Sequence, residues 1–227
     1  MDVAEPQPVR VEGTLEPGLS RWLWLVKWLL AIPHVIVLFF LWIGFAFVTV
    51  VAFVAILVTG RYPRPLFDYA VGVLRWSWRV GYYGGSALAT DRYPPFTLAD
   101  VPDYPARLEV AYPERLSRRL VLVKWWLLAL PHYLVLTVFG GAVFVGTAGP
   151  DDGERVSIPG LLGLLVFFAA VALLFTGRYP PGIYDFVMGM NRWSLRVVAY
   201  AALLTDRYPP FRLDQGGPEP AVTAGSP

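Results

Sequence analysis

The chain has 227 residues, of which 56% are hydrophobic, 15% aromatic and 16% charged, with a formal net charge of +2. Soluble domains usually carry about 25% charged residues, so this composition argues against an ordinary soluble domain. The absence of Cys excludes disulfides, thiolate metal sites and cysteine nucleophiles. Without a concentrated basic tail, the small net charge gives no indication of a nucleic-acid partner.

Residues 1–8 are expected to be disordered. The first 20 residues hold four acidic residues and one arginine, so they lack the basic start of a signal peptide. We therefore expect the apolar block that follows to be a retained membrane anchor.

That block runs from Lys27 to Arg61 without an ionisable side chain other than His34, and about 18 apolar residues are enough to cross a membrane. As one helix, residues 20–60 would reach about 60 Å, twice the hydrocarbon thickness. We therefore expect a helical hairpin, about 20–41 and 44–60, with a tight turn near Gly44. One long kinked span is the alternative.

An amphipathic helix is predicted next, over about 65–89. Asp68, Gly72, Arg75 and Arg79 fall on one face at spacings of four, three and four. We call this face the Asp/Arg stripe.

The chain then repeats itself, as copy one (9–98) and copy two (106–213) around a linker (99–105). Lys27 to His34 resembles Lys124 to His132, and two other segments recur unchanged. These are Thr59–Pro63 at Thr176–Pro180, and Thr90–Phe96 at Thr205–Phe211. The second Asp/Arg stripe is Asp185, Gly189, Arg192 and Arg196.

Copy two is longer than copy one. The offset between matching residues grows from 97 at Ser20/Ser117 to 117 at Arg61/Arg178, and the polar segment 148–159 lies in between. We expect helices at about 119–147 and 160–176, an amphipathic helix at about 182–204, and a disordered tail at 214–227.

Both copies begin with a matching lead-in, Arg10-Val11-Glu12 and Arg107-Leu108-Glu109, in which short cytoplasmic strands are expected. The fold class is therefore all-α integral membrane, a tandem repeat of a transmembrane hairpin plus an interfacial amphipathic helix. Positive-inside logic favours four spans, with both termini in the cytoplasm. Six spans with inverted repeats, as in transporters, are the alternative.

Thr-x-Arg-Tyr-Pro occurs four times, with its arginine at Arg61, Arg92, Arg178 and Arg207. Arginine near a helix C-terminus complements the helix dipole, which favours a structural role. Contact with lipid phosphates is the functional alternative.

The Asp/Arg stripes also allow two interpretations. The first is a solvated face of an interfacial helix. The second is a charged lining for an ion path or a lipid headgroup site, with Asp68, Arg75, Arg79, Asp185, Arg192 and Arg196 as its candidate residues.

His34 and His132, the only histidines, each follow a proline. A hydrogen bond that stabilises a kink is the favoured role. Proton handling is an alternative, and ligation of a haem or metal is a remote one. No metal or cofactor is expected.

With these motifs in view, the sequence resembles a bacterial, actinobacterial-type membrane family, the domain of unknown function numbered 4389. The resemblance covers about 9–98 and 106–213 and implies a multi-pass inner-membrane protein, but no activity.

No catalytic motif is recognisable, so we expect a non-enzymatic module that binds anionic lipid headgroups or a membrane protein, with homo-oligomers as another option. A small channel or transporter that uses the Asp/Arg stripes is the alternative. A histidine-ligated redox protein is the remote one.

Overall fold

A computed structural model describes residues 7–140, 143–145, 156–158 and 160–213. Most of the predicted polar loop and the predicted disordered tail lie outside these residues, as do residues 1–6.

The described chain is mostly helical, with short strands at both predicted lead-ins. The elements are β1 (Val9–Gly13), α1 (Trp24–Thr59), α2 (Arg64–Gly84), β2 (Ala106–Val110), α3 (Arg118–Val123), a π-helical turn (Lys124–Leu128), α4 (Leu130–Gly140), β3 (Val143–Val145), β4 (Val156–Ile158), α5 (Leu161–Thr176) and α6 (Pro181–Ala201). Strands β3 and β4 form an antiparallel pair.

The predicted hairpin of copy one is wrong, because α1 is one continuous helix of 36 residues, about 54 Å long. Gly44 alone costs a helix interior only about 1 kcal/mol. No second turn-forming residue stands beside it in Trp42-Ile43-Gly44-Phe45. The helix ends instead at Gly60, where φ is 72° and the N–H donates to the Ile56 carbonyl at 2.8 Å.

Copy two has the same long helix with two insertions. The repeat offset rises from 97 at Lys27/Lys124 to 98 at His34/His132. The π-helical turn absorbs that one residue, since the Ala129 N–H donates to the Lys124 carbonyl at 3.0 Å. The other extra residues lie between α4 and α5, where they interrupt the helix after Gly140.

The number of helices that could cross a membrane is smaller than the predicted four. Among the described residues only α1 is long and apolar enough, or two segments if 118–140, bent by 42°, is taken as one. The four-span prediction assumed two hairpins, and the continuous helix α1 removes the one in copy one, so four spans are not confirmed.

Helix α2 lies between α1 and the sheet. It runs back along the first part of α1, with the Tyr69 hydroxyl donating to the Leu41 carbonyl at 2.9 Å and Trp76 contacting His34. Its other side packs on β2. The molecule therefore has three layers in copy one, which are α1, α2 and the sheet.

Strands β1 and β2 pair antiparallel in a symmetric register. Val11 lies opposite Leu108, its own equivalent in copy two, so Arg10 faces Glu109 and Glu12 faces Arg107. This register places a pseudo-twofold axis through the Val11/Leu108 pair, perpendicular to the sheet.

The same symmetry relates the ends of the long helices. Gly60, after α1, lies against Arg118 at the start of α3, and Gly177, after α5, lies against Arg21. The long helices of the two copies therefore run antiparallel.

Deleting residues 141–159 tests whether α4 and α5 are one interrupted helix. The deletion joins Gly140 to Gly160, and we add Gly140→Ala and Gly160→Ala because glycine costs about 1 kcal/mol inside a helix. We expect a folded protein with one continuous helix from 130 to 176. Circular dichroism in detergent should then give a total helical signal per molecule above that of the wild type. An unfolded or aggregated product would show that the inserted segment is needed for the fold.

Candidate functional site

A buried lysine ties the start of α1 to the loop after α2. Lys27 Nζ lies 2.7 Å from an Asp91 carboxylate oxygen and donates to the Thr90 carbonyl at 2.7 Å. The same carboxylate accepts the Ser20 N–H at 2.6 Å, and the ammonium lies 5.3 Å from the centre of the Tyr83 ring. This set of contacts, the lysine clasp, satisfies a cation that is only 1% exposed.

Copy two has the same clasp. Lys124 Nζ lies 2.7 Å from Asp206 and donates to the Thr205 carbonyl at 3.0 Å, and the Ser117 N–H donates to Asp206 at 2.6 Å. Lys124 also lies 5.5 Å from the Tyr200 ring centre. Burial, with Asp206 nearby, raises the pKa of Tyr200 to about 12, so this phenol stays neutral beside the ammonium.

Each histidine is buried in an aromatic cluster. His34 stacks on Phe96 with ring centres 3.8 Å apart, and its Nδ1 accepts a hydrogen bond from Trp76 Nε1 at 3.1 Å. His132 stacks on Phe211 at 4.3 Å and lies beside Trp193. The predicted role in stabilising a kink is not the one observed, because the partner of His34 is a tryptophan on α2.

No group of three or more potential metal-ligating side chains occurs among the described residues. The two histidines belong to separate clusters, one in each copy.

The structure shows what Asp68, Arg75 and Arg192 of the Asp/Arg stripes contact. Asp68 forms an exposed ion pair with Arg64 at 3.0 Å. Arg75 Nε donates instead to the Leu108 carbonyl at 2.9 Å, and Arg192 Nε donates to the Val11 carbonyl at 3.1 Å. Each arginine therefore binds the strand of the other copy, at the symmetry axis.

The remaining stripe residues have different positions in the two copies. Arg79 is buried and donates to the Thr97 carbonyl of its own copy and to the Ala99 carbonyl of the linker. Arg196, also buried, has its Nε 3.4 Å from the Val9 carbonyl. Asp185 lies exposed on α6. The stripe arginines thus hold backbone carbonyls.

The four Thr-x-Arg motifs share one backbone structure. In each, the threonine hydroxyl accepts the N–H of the arginine two residues later, at 3.0–3.2 Å. The hydrogen bond common to the four motifs therefore involves the backbone N–H of the arginine and not its side chain. Its side chain is exposed at Arg61, Arg92 and Arg178, and half-buried at Arg207. The Arg92 guanidinium donates a hydrogen bond to the Asp103 carbonyl.

One of these arginines lines an open basic cleft where the copies meet. The cleft, about 520 Å³, lies beside Gly60, and its charged residues are Arg61, Arg115 and Arg118. The sequence predicted only Arg61, because the other two lie at the start of copy two and reach the cleft only through the antiparallel arrangement. The sequence analysis also did not predict the lysine clasps. Lys27 and Lys124 occupy equivalent positions among apolar residues, and this could have indicated that both lysines are buried with an acidic partner.

A comparison with protein-family models matches the model of a domain of unknown function, DUF4389, to residues 21–97 and 159–212. These segments make up more than half of the chain. The chain belongs to the DUF4389 family. In this DUF4389 chain the match covers α1 and α2 of copy one, and α5 and α6 of copy two. No curated protein and no solved structure matches it.

Lys27→Met tests the clasp. Removing the ammonium leaves Asp91 without its buried partner, so we expect the free energy of unfolding to fall by about 2 kcal/mol or more. Arg64→Met is the control, because the Arg64–Asp68 pair is exposed and should contribute less than about 1 kcal/mol. Denaturation in detergent, followed by circular dichroism, measures both. Equal losses would show that the clasp is no stronger than a surface pair.

Arg75→Met tests the contact between the copies. Its loss leaves the Leu108 carbonyl without its charged donor, so we expect the free energy of unfolding to fall by about 1.5–3 kcal/mol. Asp68→Asn on the same stripe should lower it by less than about 1 kcal/mol. The same denaturation experiment compares the two variants. A larger loss of stability for Asp68→Asn than for Arg75→Met would show that the Asp68 carboxylate contributes more to the fold than the contact between the copies.

Proposed function

We propose that this chain is a non-enzymatic module embedded in one leaflet of a bacterial plasma membrane, where it binds lipid. The observation that carries the proposal is the apolar surface of α1. Phe40, Phe47 and Val58 have 66%, 70% and 69% of their surface exposed, and exposed apolar side chains continue along the whole helix. A patch of this length marks a membrane or protein contact.

The corresponding helices of copy two expose the same kind of surface. Leu134 on α4 and Phe175 on α5 are 63% and 77% exposed. Because the pseudo-twofold axis passes through all layers, the apolar helices of both copies lie on one side of the molecule, away from the sheet.

The sheet carries charge on its outer face. Arg10 pairs with Glu12 at 2.5 Å, and Arg107 pairs with Glu109 at 3.0 Å. If α1 crossed the bilayer, the axis would lie in the membrane plane and this face would stand at mid-depth. Each charge there costs about 2.5–3.5 kcal/mol on insertion scales. With the long helices parallel to the membrane surface, the sheet faces water.

The positions of the cations also favour this orientation. Arginines lie at both ends of the antiparallel helices, Arg21 near Gly177 at one end, and Arg61 with Arg118 at the other. A spanning orientation would divide these cations between the two sides of the membrane. The in-plane orientation places all of them at one layer of headgroups, and we propose the cytoplasmic one.

The channel alternative uses the Asp/Arg stripes as a charged lining. In the structure Arg75 and Arg192 of these stripes donate to strand carbonyls, which supports the binding module instead. The in-plane module needs no path across the membrane.

Cysteine labelling separates the two orientations, since the chain has no native Cys. Trp22→Cys and Arg115→Cys lie near opposite ends of α1, and Arg10→Cys reports on the sheet. We expect all three to react with a membrane-impermeant maleimide from the same side of sealed membranes. Phe40→Cys, on the apolar surface, is the control and should stay protected. Labelling of Trp22→Cys and Arg115→Cys from opposite sides would mean that α1 spans the membrane.

A further inference from the structure

Two clefts lie at different positions along α1, each between α1 and copy two, and we call the two together the groove. The first is the basic cleft beside Gly60, with Arg61, Arg115 and Arg118. The second, about 240 Å³, is almost wholly apolar. It is lined by Thr49, Val50, Phe53, Trp125, Ala201 and Leu203.

Both clefts lie between the same two chain segments. The basic cleft joins the end of α1 to the start of α3, and the apolar cleft joins the middle of α1 to Trp125 in the π-helical turn. About nine residues of α1 separate them, which is on the order of 13 Å of helix. The groove therefore passes from charged to apolar over a length suited to a headgroup followed by an acyl chain.

The three arginines come from separate positions and converge without an acidic partner. None forms an ion pair with the carboxylates of the described ranges, 7–140 and 160–213. Arg61 is tied to the fold through its N–H, which donates to Thr59. Guanidinium groups match phosphate oxygens in geometry and charge.

The floor of the basic cleft is fixed by the backbone. The Leu116 N–H donates to the Gly60 carbonyl at 2.9 Å. Gly60 has a φ of 72°, which favours glycine, and Arg118 Nε lies within van der Waals distance of the position a Cβ would take there, at 3.5 Å. The hydrogen bond holds the two walls of the cleft together.

We propose that this groove binds an anionic phospholipid, with the phosphate among Arg61, Arg115 and Arg118 and an acyl chain in the apolar cleft. This inference rests on the proposed membrane module and names its ligand class. In the in-plane orientation both clefts would lie at one depth, so the first part of the acyl chain would follow α1 along the membrane surface.

The opposite end of the molecule provides a matched control. Arg178 and Arg21 are the equivalents of Arg61 and Arg118, but Gly18 stands where copy two has Arg115. A Cβ at Gly177 would lie 2.5 Å from the Arg21 guanidinium, compared with 3.5 Å between a Cβ at Gly60 and Arg118. Arg21 therefore lies closer to Gly177 than Arg118 does to Gly60. The equivalent end therefore has one cation fewer and a more covered glycine.

Native mass spectrometry of the full chain in neutral detergent tests the site. The probes are dilauroyl phosphatidylglycerol, phosphatidylcholine with the same chains, and glycerol phosphate. We expect wild-type protein to bind the anionic lipid in preference to both others. Arg61→Gln with Arg118→Gln should weaken that binding at least about tenfold, and Arg178→Gln with Arg21→Gln by less than about threefold.

Val50→Trp tests the acyl-chain cleft. The larger side chain should fill the cleft and weaken phosphatidylglycerol binding, while glycerol phosphate binding stays unchanged. An equal loss for both probes would contradict an acyl chain in this cleft.

Other results would overturn the proposal. They are equal binding of phosphatidylglycerol and phosphatidylcholine, equal losses in the two double variants, or glycerol phosphate binding as tightly as the lipid. The last would mean that a free phosphate ester occupies the cleft.

Flotation with phosphatidylcholine vesicles distinguishes failure of the lipid site from failure of the membrane module. A protein that floats but shows no anionic preference refutes only the lipid site, and one that does not float refutes the membrane module.

Discussion

The fold depends on an exchange of hydrogen bonds between the two copies. Arg75 of copy one donates to the strand of copy two, and Arg192 of copy two donates to the strand of copy one. A two-stranded sheet alone is marginally stable, so these arginines and the buried valines beside them fix it to α2 and α6. With both amphipathic helices held against the sheet, the long apolar helices are left on the opposite side.

The identical segment Thr90–Phe96 and Thr205–Phe211 follows from the contacts that it makes. Its threonine accepts the arginine N–H, its aspartate closes the lysine clasp, and its tyrosine and phenylalanine pack against the histidine. One short loop thus supplies the carboxylate that pairs with the buried lysine and the aromatic rings that cover the buried histidine of the same long helix.

The sequence predicted the two lead-in strands and the helices at about 65–89 and 182–204, because these depend on local periodicity and on identical segments within the chain. It did not predict that α1 is continuous, since the insertion of copy two suggested a turn that copy one lacks. Spacing placed Arg75 and Asp68 on one face, but it could not show that Arg75 binds a carbonyl of the other copy. Likewise Arg61 was a candidate, whereas Arg115 and Arg118 join it only through the antiparallel packing of the copies.

The pairing of Val11 with Leu108 has a consequence for the architecture as a whole. Two positions that correspond in the repeat lie opposite each other, as they would across the interface of an isologous homodimer. The chain is thus a covalently linked dimer of its own repeat. In a linked dimer, substitutions and insertions can change one copy and leave the other as it was. Here copy two has the interrupted helix, and it has Arg115 in the basic cleft where copy one has Gly18. The symmetric scaffold therefore carries two unlike ends.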